Sequence, residues 1–430
     1  MDDKSATHKP KRDARVQIAP TRTADGQPAF VLHHPGAHTY LQIDAQNYFL
    51  WQLMDGEHDL GGLAMAYFVE YHAFPFDRLS QLLAQLEANF LLEGTSPPVE
   101  PAEVGESKPR LVRLADTAFR REFNWARADE FFAGFYRRVG WVLFTRAALI
   151  LFGLIAITGL ASFVYLVWVW AENFRMFRVS NSYGVGIIVL LLANFIVLFW
   201  HESGHGLTCK LFGRRIRKAG MMFYYGMPAF FVDASDMWMA ERRPRIVVSL
   251  AGPAVNVLIG SILAIIVLVL PPSTVRQVLF IAALVAYLSA LLNLNPLLEL
   301  DGYYVLIDVL QTGQLRQRSF DFIRKDLLSK VRNRGPFTRA DKMYGVYGIL
   351  ATAFTALTVL FGIVIWKREL QTMVQHLAAG EDVLAVVLVA GLTIAAGTWL
   401  VVGLAARLAV WLGTARKQRR AVMEGGGRGP

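Results

Sequence analysis

The run His201-Glu202-Ser203-Gly204-His205-Gly206 packs three ionisable side chains together directly behind the apolar stretch GIIVLLLANFIVLFW. Histidines four positions apart lie on one face of a helix, where both imidazoles can share one tetrahedral Zn²⁺. Glu202 stands beside them, placed to take a proton from an attacking water and pass it to a leaving amine. Ionisable groups at membrane depth are costly and are retained mainly for function. That weighs against a His/Glu cluster that merely meets lipid headgroups. A catalytic zinc of this kind takes a third protein ligand and keeps one position open. Downstream, NPLLELDGYYVLIDVL offers Glu299, Asp301 and Asp308; Asp301 follows a proline-broken apolar run and precedes Gly302, where a helix would be interrupted. At this level all three carboxylates compete for the ligand role. Cys209 lies one turn beyond His205 and reads more naturally as a small buried residue than as a ligand.

The elements that must position these residues are long and apolar. Of 430 residues, 54% are hydrophobic, above the usual share for a soluble domain, and the mean hydropathy is positive. Six stretches reach the roughly 20 apolar residues that a spanning helix requires: 143–170, 183–203, 246–270, 276–298, 343–366 and 383–411. The formal charge of +10 is concentrated in every second connection, including 210–218 with 242–245, the loop 316–342 and the tail at 416–420. The positive-inside rule then places both termini and the two long basic loops in the cytoplasm. This distribution suits juxtamembrane segments and excludes a nucleic-acid surface. One cysteine rules out an intrachain disulfide, and the polar N-terminus shows no cleavable signal peptide. The expected class is therefore an α-helical polytopic membrane protein with about six transmembrane helices, in contact with membrane lipid.

Ahead of the spans, residues 1–24 read as a disordered tail, 25–95 as a compact domain, 96–142 as a Pro-rich linker and juxtamembrane segment, 143–413 as the membrane domain and 414–430 as a basic cytoplasmic tail. In 25–95 an extended stretch, HTYLQI, precedes Asp44, a fitting N-cap for AQNYFLWQLM; Asp59 and Asp77 would cap two more helices. Leu79, Leu82, Leu83, Leu86 and Phe90 recur at helical spacing. A small α+β domain of winged-helix size is expected. Between the second and third spans, FYYGMPAFFVDASDMW is aromatic for a loop. It either folds back as a re-entrant hairpin lining the site and offering an edge strand, or forms an interfacial aromatic belt.

The combination of HESGH, SLAGPAVN and NPLLELDG, each on its own span in that order, resembles the site-2 protease family of intramembrane metalloproteases. The resemblance covers roughly residues 183–310. It implies that His201, His205 and Asp301 bind zinc and that Glu202 is the catalytic base. It also implies that Asn256, in the GPxxN-like element with Gly252 and Pro253, and Asn295, ahead of the DG pair, hold the substrate strand or stabilise the developing oxyanion. Read from the residues alone, both asparagines serve equally as interhelical hydrogen-bonding groups. No PDZ-like segment is found.

Residues 25–95 resemble the PqqD-like fold through IDAQNYFLWQLMDGEHDLGGLAMAYFVEYHAF and the closing helix ending NFLLEG. Such domains pair an extended leader peptide with a sheet edge. Membrane metalloproteases of this build are peptide zinc metalloproteases. The resulting expectation is a zinc metalloendopeptidase that cuts a precursor peptide or membrane protein near the cytoplasmic face of a bacterial inner membrane. Its partners would be that substrate and membrane or export proteins. Ser203, Asn256 and Asn295 are candidates to line a water path. The rival is a non-proteolytic subunit of a peptide-export or secretion system, which would tend to lose Glu202. A zinc transporter fits less well, since no internal repeat is found.

Overall fold

The computed structural model describes residues 9–22, 27–37, 39–95, 122–170, 179–180, 182–224, 227–333, 336–378, 383–388 and 391. They fall into two units: Met1–Val104 with Ser235–Val247 and Tyr303–Gly348, and Gly105–Ala234 with Val248–Gly302 and Ile349–Pro430.

In the first unit, strands β1 (Gln17–Arg22), β2 (Pro28–His34) and β3 (Thr39–Asp44) form an antiparallel sheet in the order β1-β2-β3. Asp44 caps α1 (Ala45–Gln52) by accepting from Asn47 N at 2.7 Å. Asp59 caps α2 (Leu60–Tyr71) by accepting from Gly62 N at 2.7 Å. Each carboxylate satisfies an amide that the first helical turn leaves without a partner. The third helix, α3 (Phe76–Ala88), departs from expectation: its N-cap is Pro75, and Asp77 sits in the first turn, where its charge still complements the helix dipole. Leu50, Trp51, Met54, Leu63, Leu82 and Leu86 close the core between these helices and the sheet.

The domain also begins earlier than the boundary at residue 25. Residues 17–22, assigned by sequence to the tail, form the edge strand β1, where Pro20 is tolerated because an edge need not donate on both sides. Lys11 and Arg12 bridge to Asp55 and Leu92. Residues 1–8 and 23–24 of the expected tail, residues 25–26 of the expected domain and the linker 96–121 lie outside the described residues.

The second unit carries β4 (Glu122–Asn124), the amphipathic α4 (Ala128–Arg138), α5 (Arg146–Trp170) and α6 (Tyr183–Leu211). Asp129 of α4 receives Lys210 Nζ and the Ile216 amide, tying α4 to the end of α6. A hairpin follows, β5 (Ala219–Tyr224) with β6 (Met227–Val232), and β4 completes an antiparallel sheet in the order β4-β5-β6. Two long helices come next, α7 (Arg242–Val269) and α8 (Thr274–Asn293). The non-helical turn 294–300 then leads into α9 (Asp301–Leu310). From Tyr303 to Gly348 the chain belongs to the first unit again, through α10 (Leu315–Asp321), α11 (Leu328–Arg332) and the start of α12 (Arg339–Ala378).

Among the described residues five helices are long and apolar enough to cross a membrane: α5, α6, α7, α8 and the first part of α12. Ile150, Ile157 and Trp168 of α5 are 65%, 71% and 79% exposed, as lipid-facing side chains are. This is a polytopic membrane protein. The sixth expected span, 383–411, falls mostly outside the described residues. Three helices differ in extent from the apolar stretches that announced them: α8 stops at Asn293, short of 298, and two others run further. α6 runs on through HESGHG to Leu211, and α12 continues to Ala378, because the helical ladder does not stop where hydrophobicity does.

Within the first unit the guanidinium of Arg245 pairs with Asp308 at 2.7 Å, with both side chains nearly buried. Burial pushes the Asp308 carboxyl above the usual range, while Arg245 and Arg242 pull it back. Removing one member of such a pair leaves the other charge buried, at a cost of about 3–5 kcal/mol. Asp308→Ala is therefore expected to lower the unfolding midpoint in detergent markedly. Arg245→Met with Asp308→Leu is expected to recover most of the loss; equal midpoints for all three proteins would contradict the pairing.

Candidate metal centre

His201 and His205 occupy the third-last and second-last turns of α6, and both are buried. Their spacing puts both rings on one face, and the Nε2 atoms approach to 3.1 Å. Asp301 opens α9 and presents Oδ2 at 3.0 Å from His201 Nε2 and Oδ1 at 3.4 Å from His205 Nε2. Nitrogen and oxygen ligands 2.0–2.1 Å from a tetrahedral zinc are separated from each other by about 3.3 Å. The three observed separations bracket that edge length. His201, His205 and Asp301 form the one group of this kind among the described residues. Cys209 is buried and outside it.

The protonation pattern fits as well. His205 Nδ1 lies 2.7 Å from the carbonyl oxygen of Val248, which can only accept, so the ring proton is on Nδ1 and the Nε2 lone pair faces the cluster. Burial pushes the Asp301 carboxyl up, and the His201 and His205 rings beside it pull it down, to about 2. Asp301 is thus ionised at neutral pH, as a ligand must be.

Space is kept open by Gly252 of α7. A Cβ built there would lie 2.4 Å from His205 Nε2 and 2.5 Å from His201 Nε2, in the volume that a shared ion would fill. The DG pair is explained in the same way, since a Cβ at residue 302 would meet the Leu294 carbonyl oxygen at 2.3 Å. The turn that returns the chain to Asp301 is shaped by Asn295, whose side-chain oxygen accepts from Leu297 N at 2.9 Å.

Geometry separates the carboxylates that sequence left open. Asp301 joins the histidines, Asp308 is engaged by Arg245, and Glu299 is exposed and outside the cluster. Glu202 lies on α6 beside the histidines, and its Oε2 accepts from Val232 N of β6 at 2.9 Å. The aromatic segment is therefore a hairpin lining the site. Phe230 of β6 rests on Phe195 and Phe199 of α6, with ring centroids 4.5 and 5.1 Å apart. Asn256 is fully buried with its carboxamide 3.0 Å from His201 Nδ1 and 3.0 Å from Ser289 Oγ. Ser203, expected along a water path, instead donates to the Phe199 carbonyl of its own helix at 2.7 Å.

Three contributors escaped the sequence reading. Val232 N and Val248 O are backbone groups, which side-chain types do not announce. Ser289 carried a signal, being a hydroxyl within an apolar run of a spanning helix.

The comparisons with known proteins agree with this centre. Residues 188–277 match the model of Peptidase family M50. The chain is 32% identical over 138 residues to "Putative peptide zinc metalloprotease protein YydH" of Bacillus subtilis (strain 168), covering 31% of this chain and 53% of that protein. It is 34% identical over 76 residues to "Uncharacterized protein MJ0971" of Methanocaldococcus jannaschii, covering 17% of this chain and 20% of that one. The chain thus spans about half the length of the first relative and a fifth of the second. No solved structure matches. The matched segment holds His201, Glu202, His205, Gly252 and Asn256 and ends before Asp301.

The site makes a direct prediction. Gly252→Ala is expected to weaken zinc binding by at least about 100-fold, on the scale of losing outer-shell support or more, with helix content unchanged. Metal analysis and circular dichroism of the purified protein check it; full zinc content in that variant would contradict the placement. Over residues 188–277, then, this chain is similar to Peptidase family M50, and its His201–His205–Asp301 cluster fits the zinc of a metalloprotease.

Proposed function

We propose that the protein is a zinc metalloendopeptidase that hydrolyses a peptide bond of a membrane-associated protein or precursor peptide, near the cytoplasmic face of a bacterial inner membrane. The observation that carries this reading is the set of three ligand atoms at tetrahedral spacing with a carboxylate fixed beside them. When bound there, zinc would polarise the scissile carbonyl and make water acidic enough to attack at neutral pH.

The chain's own groups do the rest. Glu202 is anchored through Oε2 by the Val232 amide, which leaves Oε1 to receive the proton of the attacking water. The same carboxyl then delivers that proton to the departing nitrogen. Strand β6 ends the order β4-β5-β6, and beyond the Val232 amide, already taken by Glu202, its outer edge is where we place an extended substrate, whose helix must unwind before it can be cut. Asn295 uses its carboxamide oxygen inside its own turn, and its nitrogen is the donor we assign to the substrate strand.

We read the N-terminal sheet β1-β2-β3 with α1, α2 and α3 as a PqqD-like peptide-binding domain. Its strand β2 lies against the 3₁₀ turn Ser235–Met239, which starts three residues after Val232. In our reading this domain captures the substrate on the cytoplasmic side, both termini are cytoplasmic and a sixth span completes the membrane domain.

The test uses zinc-loaded protein in detergent with an unfolded protein as substrate. Wild type is expected to cut it and to stop when the metal is chelated. Glu202→Gln should keep its zinc and lose about 10²–10⁴-fold in rate, the usual contribution of a general base. Zinc held by both proteins with cleavage by neither would favour the rival, a non-proteolytic export subunit.

A further inference from the structure

Helix α7 presents three features to the histidine pair at four-residue intervals: the Val248 carbonyl, the bare Gly252 and the Asn256 carboxamide. Residues four apart share one helix face, and so do His201 and His205 on α6. Val248 serves His205 and Asn256 serves His201. From this juxtaposition we infer that Asn256 is a positioning residue for the metal, held in place by Ser289, and not a donor to substrate. The inference rests on the zinc reading above and deepens it.

A histidine that gives Nε2 to a metal carries its proton on Nδ1, and that N–H needs an acceptor to fix the ring. For His201 the polar neighbour at Nδ1 is the Asn256 carboxamide at 3.0 Å. The amide nitrogen faces both Nδ1 and Ser289 Oγ, while the side-chain oxygen of Asn256 is buried without a hydrogen-bond partner. The two ends of an amide are interchangeable in shape, and the hydrogen-bond network decides between them. A half-turn about the terminal torsion brings the oxygen to two donors at once, His201 Nδ1–H and the Ser289 hydroxyl.

Ser289 is prepared to donate. Asn293, one turn further along α8, gives Nδ2–H to Ser289 O at 2.9 Å and to its Oγ at 3.3 Å. The hydroxyl therefore already has a donor and can turn its own proton toward Asn256. The result is a one-way chain, Asn293 to Ser289 to Asn256, meeting His201 from the other side. Asn256 is wholly buried, so its role is confined to what it touches, a ligand ring and a hydroxyl.

The experiment measures zinc affinity by chelator competition, together with the visible spectrum of the cobalt-substituted protein and the melting temperature of the metal-free form. Asn256→Leu keeps the volume but cannot accept a hydrogen bond. It is expected to bind zinc about 10–100-fold more weakly, the usual loss when an outer-shell partner is removed, with an altered cobalt spectrum. Asn256→Asp accepts but cannot donate, and should stay within a few-fold of wild type. Ser289→Ala should fall between them.

An Asn256→Leu protein with wild-type zinc affinity and reduced turnover would overturn the inference, returning Asn256 to the substrate side and leaving the protease reading intact. Equal losses in Asn256→Leu and Asn256→Asp would overturn it too, since the acceptor would then not be the operative group. If Asn256→Leu fails to fold, Ser289→Ala and Asn256→Asp still decide. A wild type that binds no zinc would overturn both readings.

Discussion

Everything at the site depends on one constraint, the close register between α6 and α7 where two buried imidazoles face a helix without a side chain. Two histidines on successive turns of α6 would ordinarily collide with whatever α7 presents. Gly252 removes that collision and leaves a volume bounded by the two Nε2 atoms. Four residues on either side, α7 supplies the groups that orient those rings. Sliding the register by one residue would replace the gap and the carboxamide by Ala251 and Val255, or by Pro253 and Val257, and fill the volume between the rings.

The remaining pieces come from elements that must be brought back to this face. The turn after α8 reverses the chain over Asn295 and Pro296, and Gly302 lets it pass the Leu294 carbonyl closely enough for Asp301 to open α9 at the histidines. A hairpin returns on the other side, anchored by Phe230 against α6, and its Val232 amide fixes Glu202. Ligands and base thus sit on helices, and a paired strand anchors the base. That support keeps a catalytic constellation organised before substrate arrives.

What was legible in the sequence divides along physical lines. His201, Glu202 and His205 could be read because the helical period turns a spacing of four into proximity. Asp44 and Asp59 could be read as caps because capping is a local matter; Asp77 could not, since Pro75 took the cap two residues earlier in the chain. The choice of Asp301 over Asp308 needed the resemblance, because both lie on one short segment. Only the partner Arg245, more than 60 residues away in sequence, separates them in space. Strand β1 was hidden by its proline and arginine, which an edge strand accepts. Val232 and Val248 act through backbone atoms that every residue has, so no composition or motif could single them out.

The central claim is that His201, His205 and Asp301 hold one zinc with one position left open. X-ray absorption at the zinc edge of the purified, detergent-solubilised protein tests it most directly. The account predicts one zinc per chain in a four-coordinate shell of nitrogen and oxygen only, at about 2.0–2.1 Å, with the outer-shell scattering of two imidazoles. A sulfur scatterer at about 2.3 Å, a shell with fewer than two imidazoles, or protein that takes up no zinc would contradict it.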